Sequence, residues 1–362
     1  MLPMEKKKRS LLVKPCRSPL LFPTVTAGMF LLLLISVTLA VMIGPVRIHP
    51  VTVWDIAISQ ILGGSADGTT AQQTIVWEVR FPRALLGVIV GSGLAVVGTA
   101  MQALLKNSLA DPYIIGVSAG ASVGATLVIL LGAFSLLGVY ALSAAAFIGA
   151  LSAVLTVLLL SHIRGHLSPV RVILAGVAIS AIGSAITQLI VITAKNEAEI
   201  RNAMFWLFGS LAGAEWTSLS LPSLVVIAGI VYLYIRHRSL NAMLLGEETA
   251  ETLGVATRWF RVEIIVASAL LTGIIVAVSG PIGFVGLMVP HMVRPFTGSD
   301  HRRVLPVSAL LGAMFVIWAD VLARVAIAPE ELPIGIITAL CGGPFFIWLL
   351  RRSSYTFGGD DR

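Results

Sequence analysis

The sequence predicts an all-α, polytopic membrane protein with about ten transmembrane helices and both termini in the cytoplasm. Of its 362 residues, 57% are hydrophobic and only 12% charged, about half the charge of an average soluble domain. The few charges are also segregated. Uncharged runs cover residues 18–46, 84–105, 112–163, 172–194, 216–235, 264–293, 304–319 and 332–350, and about 20 apolar residues suffice for a helix to cross the hydrocarbon core. Spanning strands would instead read as short alternating segments, and the chain has none.

The run 18–46 supplies the first span. Ahead of it, the basic stretch from Lys6 to Arg17 imitates the start of a signal peptide, but the apolar run is too long for an h-region and has no A-x-A-like cleavage site. It is read as a retained helix. Residues 47–82 follow as an outer segment in which 55–62 suits a short surface helix, and 84–105 is the second span. The run 112–163 must hold two spans, with a turn near 132–138, and 172–194 is the fifth. Residues 195–215 form a second outer segment, with a short helix at 197–207, before the sixth span at 216–235. The run 264–293 holds one full span and a short second one, broken at Gly280-Pro281. The ninth and tenth spans, 304–319 and 332–350, are joined by a short outer turn near 328–332. No polar stretch between spans is long enough to fold alone. Residues 21–352 are therefore one transmembrane domain, between a basic cytoplasmic tail at 1–20 and a second tail at 353–362.

Orientation follows from the basic residues. With Met1 inside, 19 of the 25 Lys and Arg residues fall on inner segments, and only Arg47, Arg80, Arg83, Lys195, Arg201 and Arg324 lie outside. That bias is the positive-inside rule. The net charge of +7 thus reports topology, and the scattered basic residues do not make a nucleic-acid surface.

Chemistry is conspicuous by its scarcity. None of the six histidines has a partner at a metal-ligand spacing, and Cys16 and Cys341 offer no disulfide framework. No G-x-x-x-x-G-K-[ST] loop is present, so any ATPase belongs to another chain. An ion-coupled transporter needs ionisable groups within its spans. Asp320 is the main candidate, but Arg324 lies four residues on, where the two neutralise each other at an outer edge with water in reach.

Three features point to partners. The longest inner segment, 236–261, contains a short amphipathic helix over 243–253 that ends at Gly254, with Glu247, Glu248 and Glu251 on its polar side. Such a helix is a docking handle; a lipid-lying helix favours basic residues on that face. On the outer side, Arg80, Arg83 and Arg324 run against the charge bias. They read either as snorkelling anchors or as receptors for carboxylates of an extracytoplasmic partner. Finally, Gly116, Gly120 and Gly124 recur at one helix face and predict a close helix–helix approach.

In chain order the motifs are Arg80-Phe81-Pro82-Arg83, Gly98 with Gln102, Asn107-Ser108-Leu109-Ala110-Asp111-Pro112, Gly116 through Ala121, Leu174-Ala175-Gly176, Trp206 through Ser210, Leu245-Gly246-Glu247 through Leu253-Gly254, the stretch GPIGFVGLMVPHMVR from Gly280 to Arg294, Gly298 through Arg302, Ala319-Asp320 with Arg324, and Glu331 through Gly335 with Gly342 through Phe346. This set resembles the FecCD-type permeases of type II ATP-binding cassette importers for iron-siderophore complexes, haem and cobalamin. The resemblance implies a second permease, identical or paralogous, two ATPase subunits and an extracytoplasmic substrate-binding protein, in a bacterial cell membrane. It implies a transport subunit that is not an enzyme and binds no cofactor, with ATP and magnesium on the ATPase. It assigns docking of the binding protein to Arg80, Arg83 and Arg324. ATPase coupling falls to Leu245, Gly246, Glu247, Glu248, Ala250, Leu253 and Gly254. Closure of the pathway falls to Asn107, Leu109 and Pro112 with Ser168 and Pro169; Pro169 and Val170 depart here from the small hydroxylated residues of some members. The expected cargo is a ferric siderophore, with haem or cobalamin as alternatives, and an ion-coupled secondary transporter as the rival from another class.

Overall fold

The computed structural model describes residues 21–44, 46–64, 68–163 and 166–352. The predicted tails at 1–20 and 353–362, and Cys16, lie outside that set. The first helix is α1 (Leu21–Met42), followed by a short outer helix α2 (Pro50–Leu62). Pro50 occupies the first turn of α2, where its missing N–H is not needed, and Gly63 closes it in the left-handed conformation. Next, α3 (Thr70–Thr74) opens on a Thr69/Gln72 capping box and runs through a π-helical stretch, Ile75–Arg80, into α4 (Phe81–Leu105). Lys106 ends α4 with φ 47°. A 3₁₀ turn, Pro112–Ile115, leads into α5 (Val117–Leu131), which Gly132 terminates.

A second 3₁₀ stretch, Ser135–Tyr140, turns the chain into α6 (Ala141–Ser161). A minimal hairpin of two-residue strands, β1 (His162–Ile163) and β2 (His166–Leu167), joins α6 to α7 (Pro169–Thr193). Then come α8 (Glu197–Leu207), α9 (Trp216–Ile235), α10 (His237–Leu244), α11 (Glu247–Thr252) and α12 (Thr257–Ser279). The chain closes with α13 (Val285–Thr297), α14 (His301–Val325) and α15 (Ile334–Arg352). Among the described residues, eight helices are long and apolar enough to cross a membrane. The short helices α5 and α13, of 15 and 13 residues, complete the predicted ten. At 1.5 Å per residue, α13 covers about 20 Å of a hydrocarbon core about 30 Å thick.

Burial separates a central helix from a periphery. In the most apolar window of α4, 83% of residues are buried, against 22% for α1, α7 and α9 and 17% for α15. Apolar residues on a peripheral span face lipid or another membrane subunit, so α7, which packs inward on α5 and α6, leaves Leu174 and Val177 exposed on its other side. Around α4 pack α14, α12, α13 and α9. Small residues make this possible where lipid tails supply no hydrophobic drive between helices. A β-carbon at Gly91 would lie 2.2 Å from the Gly312 carbonyl oxygen of α14, and one at Gly98 2.0 Å from that of Gly286 in α13.

The predicted glycine face on α5 is present at two of its three positions. Gly120 lies against Gly149, and Gly124 against Ala145, both of α6. Gly116 is not on that face. It precedes the helix with φ 83°, because the 3₁₀ turn must reverse there, and it abuts Ile179 of α7.

Candidate functional site

Three sites emerge along the helix bundle. The first is a charge cluster at the expected outer end, beside the α1–α2 junction. Arg83, in the first turn of α4, directs Nε at both carboxylate oxygens of Asp320 in α14, at 2.9 and 3.1 Å, and Nη1 at Glu331 at 2.8 Å. Arg324 lies one turn beyond Asp320, its Nε 3.1 Å from Asp320 Oδ2. It also donates to the carbonyls of Ala40 and Ile43, near the end of α1. Arg80 fills the space under that same end and donates to the carbonyls of Val41, Met42 and Val46. The last carbonyls of a helix lack intrahelical partners, and here guanidinium groups provide them.

Sequence reasoning placed these arginines at a surface; the structure turns them inward. Arg80, Arg83 and Arg324 are 5%, 6% and 5% exposed. The Asp320–Arg324 pairing across one helical turn is present as expected. Its access to water is not, because Arg83 and α1 cover it: Asp320 is 3% exposed.

The second site is where membrane-depth helices break. α12 stops at Gly280 (φ 63°), and Phe284 (φ 69°) starts α13. Irregular backbone at this depth is stable only when protein satisfies it, and here neighbouring breaks do so. Ser210 N–H donates to Ser279, Ile334 N–H to Gly209, and Gly335 N–H to Phe208. The Tyr113 hydroxyl both accepts from the Ile282 N–H at 3.0 Å and donates to its carbonyl at 3.1 Å. Pro290, inside α13, cannot donate to the Gly286 carbonyl four residues earlier. Gln102 of α4 donates to that carbonyl instead, and to Leu287, each at 3.3 Å. The ring of Phe284 lies over Gly342 of α15. Beside these breaks a groove of about 520 Å³ is lined by Tyr113, Phe208, Pro281, Phe284, Ile336 and Leu340, among others.

The loop 107–112, expected to close the pathway, lies beside these breaks. The Asn107 side chain accepts from the Leu109 N–H at 2.9 Å, and Asp111 from the Tyr113 N–H at 2.8 Å. Burial pushes the Asp111 carboxyl up to about 6, although the Tyr113 N–H favours its ionised form. Pro112 is buried against Gly286, and His291 pairs through Nε2 with the Ser108 carbonyl at 2.6 Å. Loop and half-span therefore form one unit. On the other segment expected at the closure, Ser168 occupies the N-cap position of α7 in an extended conformation, without a side-chain cap bond, and Pro169 begins the helix. The contact between the two segments is made further along, by Ile114 against Gly176.

The third site is the segment 236–261, expected on the inner side. The single helix expected over 243–253 is instead two, α10 and α11, because Gly246 adopts φ 114° and interrupts it. Gly254, with φ 84°, follows α11 as anticipated. Ala242, Met243 and Ala250 are buried beneath, while Leu245 and Leu253 are 65% and 62% exposed. Glu248 is exposed, and Glu247 pairs with Arg261. The segment is fastened to α14 through Asn241, which contacts Asp300 and His301. Burial would raise the Asp300 carboxyl; the bonds from Asn241 and the Arg302 N–H and the charges of Arg303 and His237 outweigh it and hold it below its ordinary value. Glu331 and Gln102 stand in the sequence only as motif positions, Tyr113 lies between two motifs, and Asn241 belongs to none. No spacing rule joins residues 60 positions apart, as Asn241 and His301 are.

Apolar helices packed around the buried α4, an interrupted half-span and a pair of short helices, α10 and α11, define a multi-pass membrane transport subunit. The chain belongs to the FecCD transport family, whose match covers residues 32–352. It is 43% identical over 282 residues to the hemin transport system permease protein of Yersinia pestis, spanning 76% of this chain and 83% of that one. It is also 43% identical over 279 residues to the cobalamin import system permease protein of Halobacterium salinarum, spanning 77% and 74%. A solved metal-chelate type ABC transporter in an inward-facing conformation superposes with a TM-score of 0.79 at 32% identity, over 91% of this chain and 100% of that one. The protein is accordingly a permease of the ATP-binding cassette importer type, resident in the cell membrane.

Proposed function

We propose that this permease carries a ferric siderophore delivered by an extracytoplasmic binding protein and works beside a second permease above two ATPase subunits, which hold the ATP and magnesium. The observation that carries the ATP-driven reading is the exposed apolar pair Leu245 and Leu253 on the water side of the chain. Exposed leucines around buried Ala250 make an unfinished core, which a soluble ATPase completes. An ion-coupled mechanism finds no such support, because Asp320 is held between Arg83 and Arg324. Docking of the binding protein falls to the outer surface over this cluster, with Arg80, Arg83 and Arg324 bracing it from beneath. Asn107, Leu109, Pro112, Ser168 and Pro169 close the inner end of the route. Haem and cobalamin are the alternative cargoes, named for the relatives in Yersinia pestis and Halobacterium salinarum.

The test is uptake of labelled ferric siderophores, haem and cobalamin in cells with and without the gene. Loss of siderophore uptake alone supports the proposal, and loss of haem or cobalamin uptake reassigns the cargo. Uptake that survives deletion of the ATPase but collapses with an ionophore overturns the ATP-driven reading.

A further inference from the structure

We infer that Asn241 is a positioning residue that latches the inner docking helices to α14 and passes their displacement to the outer charge cluster. One amide makes the three hydrogen-bond contacts of the latch. Its oxygen accepts from the His301 N–H at 2.9 Å and faces His301 Nδ1 at 2.7 Å, and its nitrogen donates to Asp300 Oδ1 at 2.7 Å. The amide oxygen has no proton to give, so the imidazole carries its proton on Nδ1. The same Asp300 oxygen accepts from the Arg302 N–H at 3.0 Å and caps α14. His301 is 2% exposed, so the latch is sealed on one side.

What lies at the two ends of α14 gives the latch its consequence. The helix has 25 residues and is therefore about 37 Å long. Asp300 and His301 stand at its first turn, and Asp320 and Arg324 in its last two. Midway, Gly312 meets Gly91 backbone to backbone, with a β-carbon at Gly312 only 2.4 Å from the Gly91 carbonyl oxygen. A packed rod of this kind moves as a body, since close-packed interiors switch between discrete arrangements and do not stretch. α10 is also joined to α11, where Leu245 and Leu253 are exposed. A push there reaches α14 through three directed bonds to one side chain.

This inference rests on the reading of 245–254 as the ATPase-facing segment, and the experiment keeps the two apart. The assembled permease–ATPase complex is reconstituted in liposomes, and basal ATPase, ATPase stimulated by the binding protein, and uptake are measured. Asn241→Asp is isosteric and sets a carboxylate against Asp300. It is expected to lower stimulation and uptake about tenfold relative to basal ATPase, within the usual range of coupling between sites. Asn241→Asp with Asp300→Asn restores the complementary pair, keeps a good helix cap and is expected to recover most of both. Stimulation and uptake unchanged in the single variant overturn the latch. So does a double variant that assembles and melts like wild type yet stays uncoupled. If the single variant fails to assemble, the double variant alone decides, by the same criterion. Failure of the underlying reading appears elsewhere, as full ATPase retention by a Leu245→Ser, Leu253→Ser variant.

Discussion

Arg83 Nε lies 2.9 Å from one carboxylate oxygen of Asp320 and 3.1 Å from the other, although the two residues are 237 positions apart. The contact fixes the start of α4 to the end of α14, and Glu331 and Arg324 complete a group of two cations and two anions. A buried charge pair is a weak source of net stability, but removing one partner strands the other. Arg83→Ala is therefore expected to destabilise the protein by about 3–5 kcal/mol, read as a lower melting temperature in detergent. Arg83→Ala combined with Asp320→Asn should melt above the single variant. A single variant that melts like wild type would deny the cluster its bracing role and return Arg83 to the outer surface as a docking group.

Gly98 and Gly286 set the distance between α4 and the half-span α13. A β-carbon at Gly98 would sit 2.0 Å from the Gly286 carbonyl oxygen, and the oxygen is backbone that cannot rotate away. Gly98→Ala is expected to cost at least about 1–3 kcal/mol, the usual range for overpacking. It should also strain the Gln102 bonds that serve the carbonyl freed by Pro290. Gly343→Ala is the matched control, since nothing lies within 4 Å of its β-carbon. Equal membrane yield and melting temperature for the two variants would refute the close approach.

Hydropathy made most of this fold legible. Periodic loss of charge located the eight helices long enough to cross a membrane and the short α5 and α13, and Gly280-Pro281 marked the break between α12 and α13. The short helix expected over 197–207 is α8, with the bounds the sequence suggested; its Asn196 cap is a finding of the structure. The site was legible as motifs and not as geometry. Arg80 and Arg83 stand where the chain leaves water, and nothing local says that the carbonyls of Val41 and Met42 will receive Arg80. The same holds for Tyr113, whose partner Ile282 is 169 positions away. Gly246 looked like one more residue of an amphipathic helix. Only its φ of 114° shows that it breaks the helix and leaves Leu245 uncovered.

The exposed leucines make a prediction that separates stability from assembly. Leu245 and Leu253 are 65% and 62% exposed in the isolated chain, so Leu245→Ser and Leu253→Ser should shift its stability by no more than about 0.5 kcal/mol. Each removes apolar area that a partner would bury, and a central interface residue typically costs more than about 1 kcal/mol when truncated. Co-purification of the ATPase with the double variant is expected to fall severalfold while the permease itself melts unchanged. A lower melting temperature with full ATPase retention would show the opposite, that these leucines belong to the chain's own packing.

Asp111 yields the pH prediction. Its carboxyl is raised by burial to about 6 from an ordinary 3.8, so the folded protein holds the proton more tightly than the unfolded chain. Stability from this group is therefore fully present below the unfolded value and is lost as pH rises through the folded one. Between pH 5 and 7.5 the protein should lose about 1 kcal/mol from this residue, seen as a falling melting temperature. Asn at position 111 cannot ionise, yet its side-chain oxygen still accepts from the Tyr113 N–H, as the Asp111 oxygen does at 2.8 Å. Asp111→Asn should consequently flatten the profile above pH 5 and melt higher than wild type at pH 7.5. If instead Asp111→Asn melts lower at pH 7.5, the ionised carboxylate is what the gate loop requires, and charge at this position supports the Asn107–Pro112 turn.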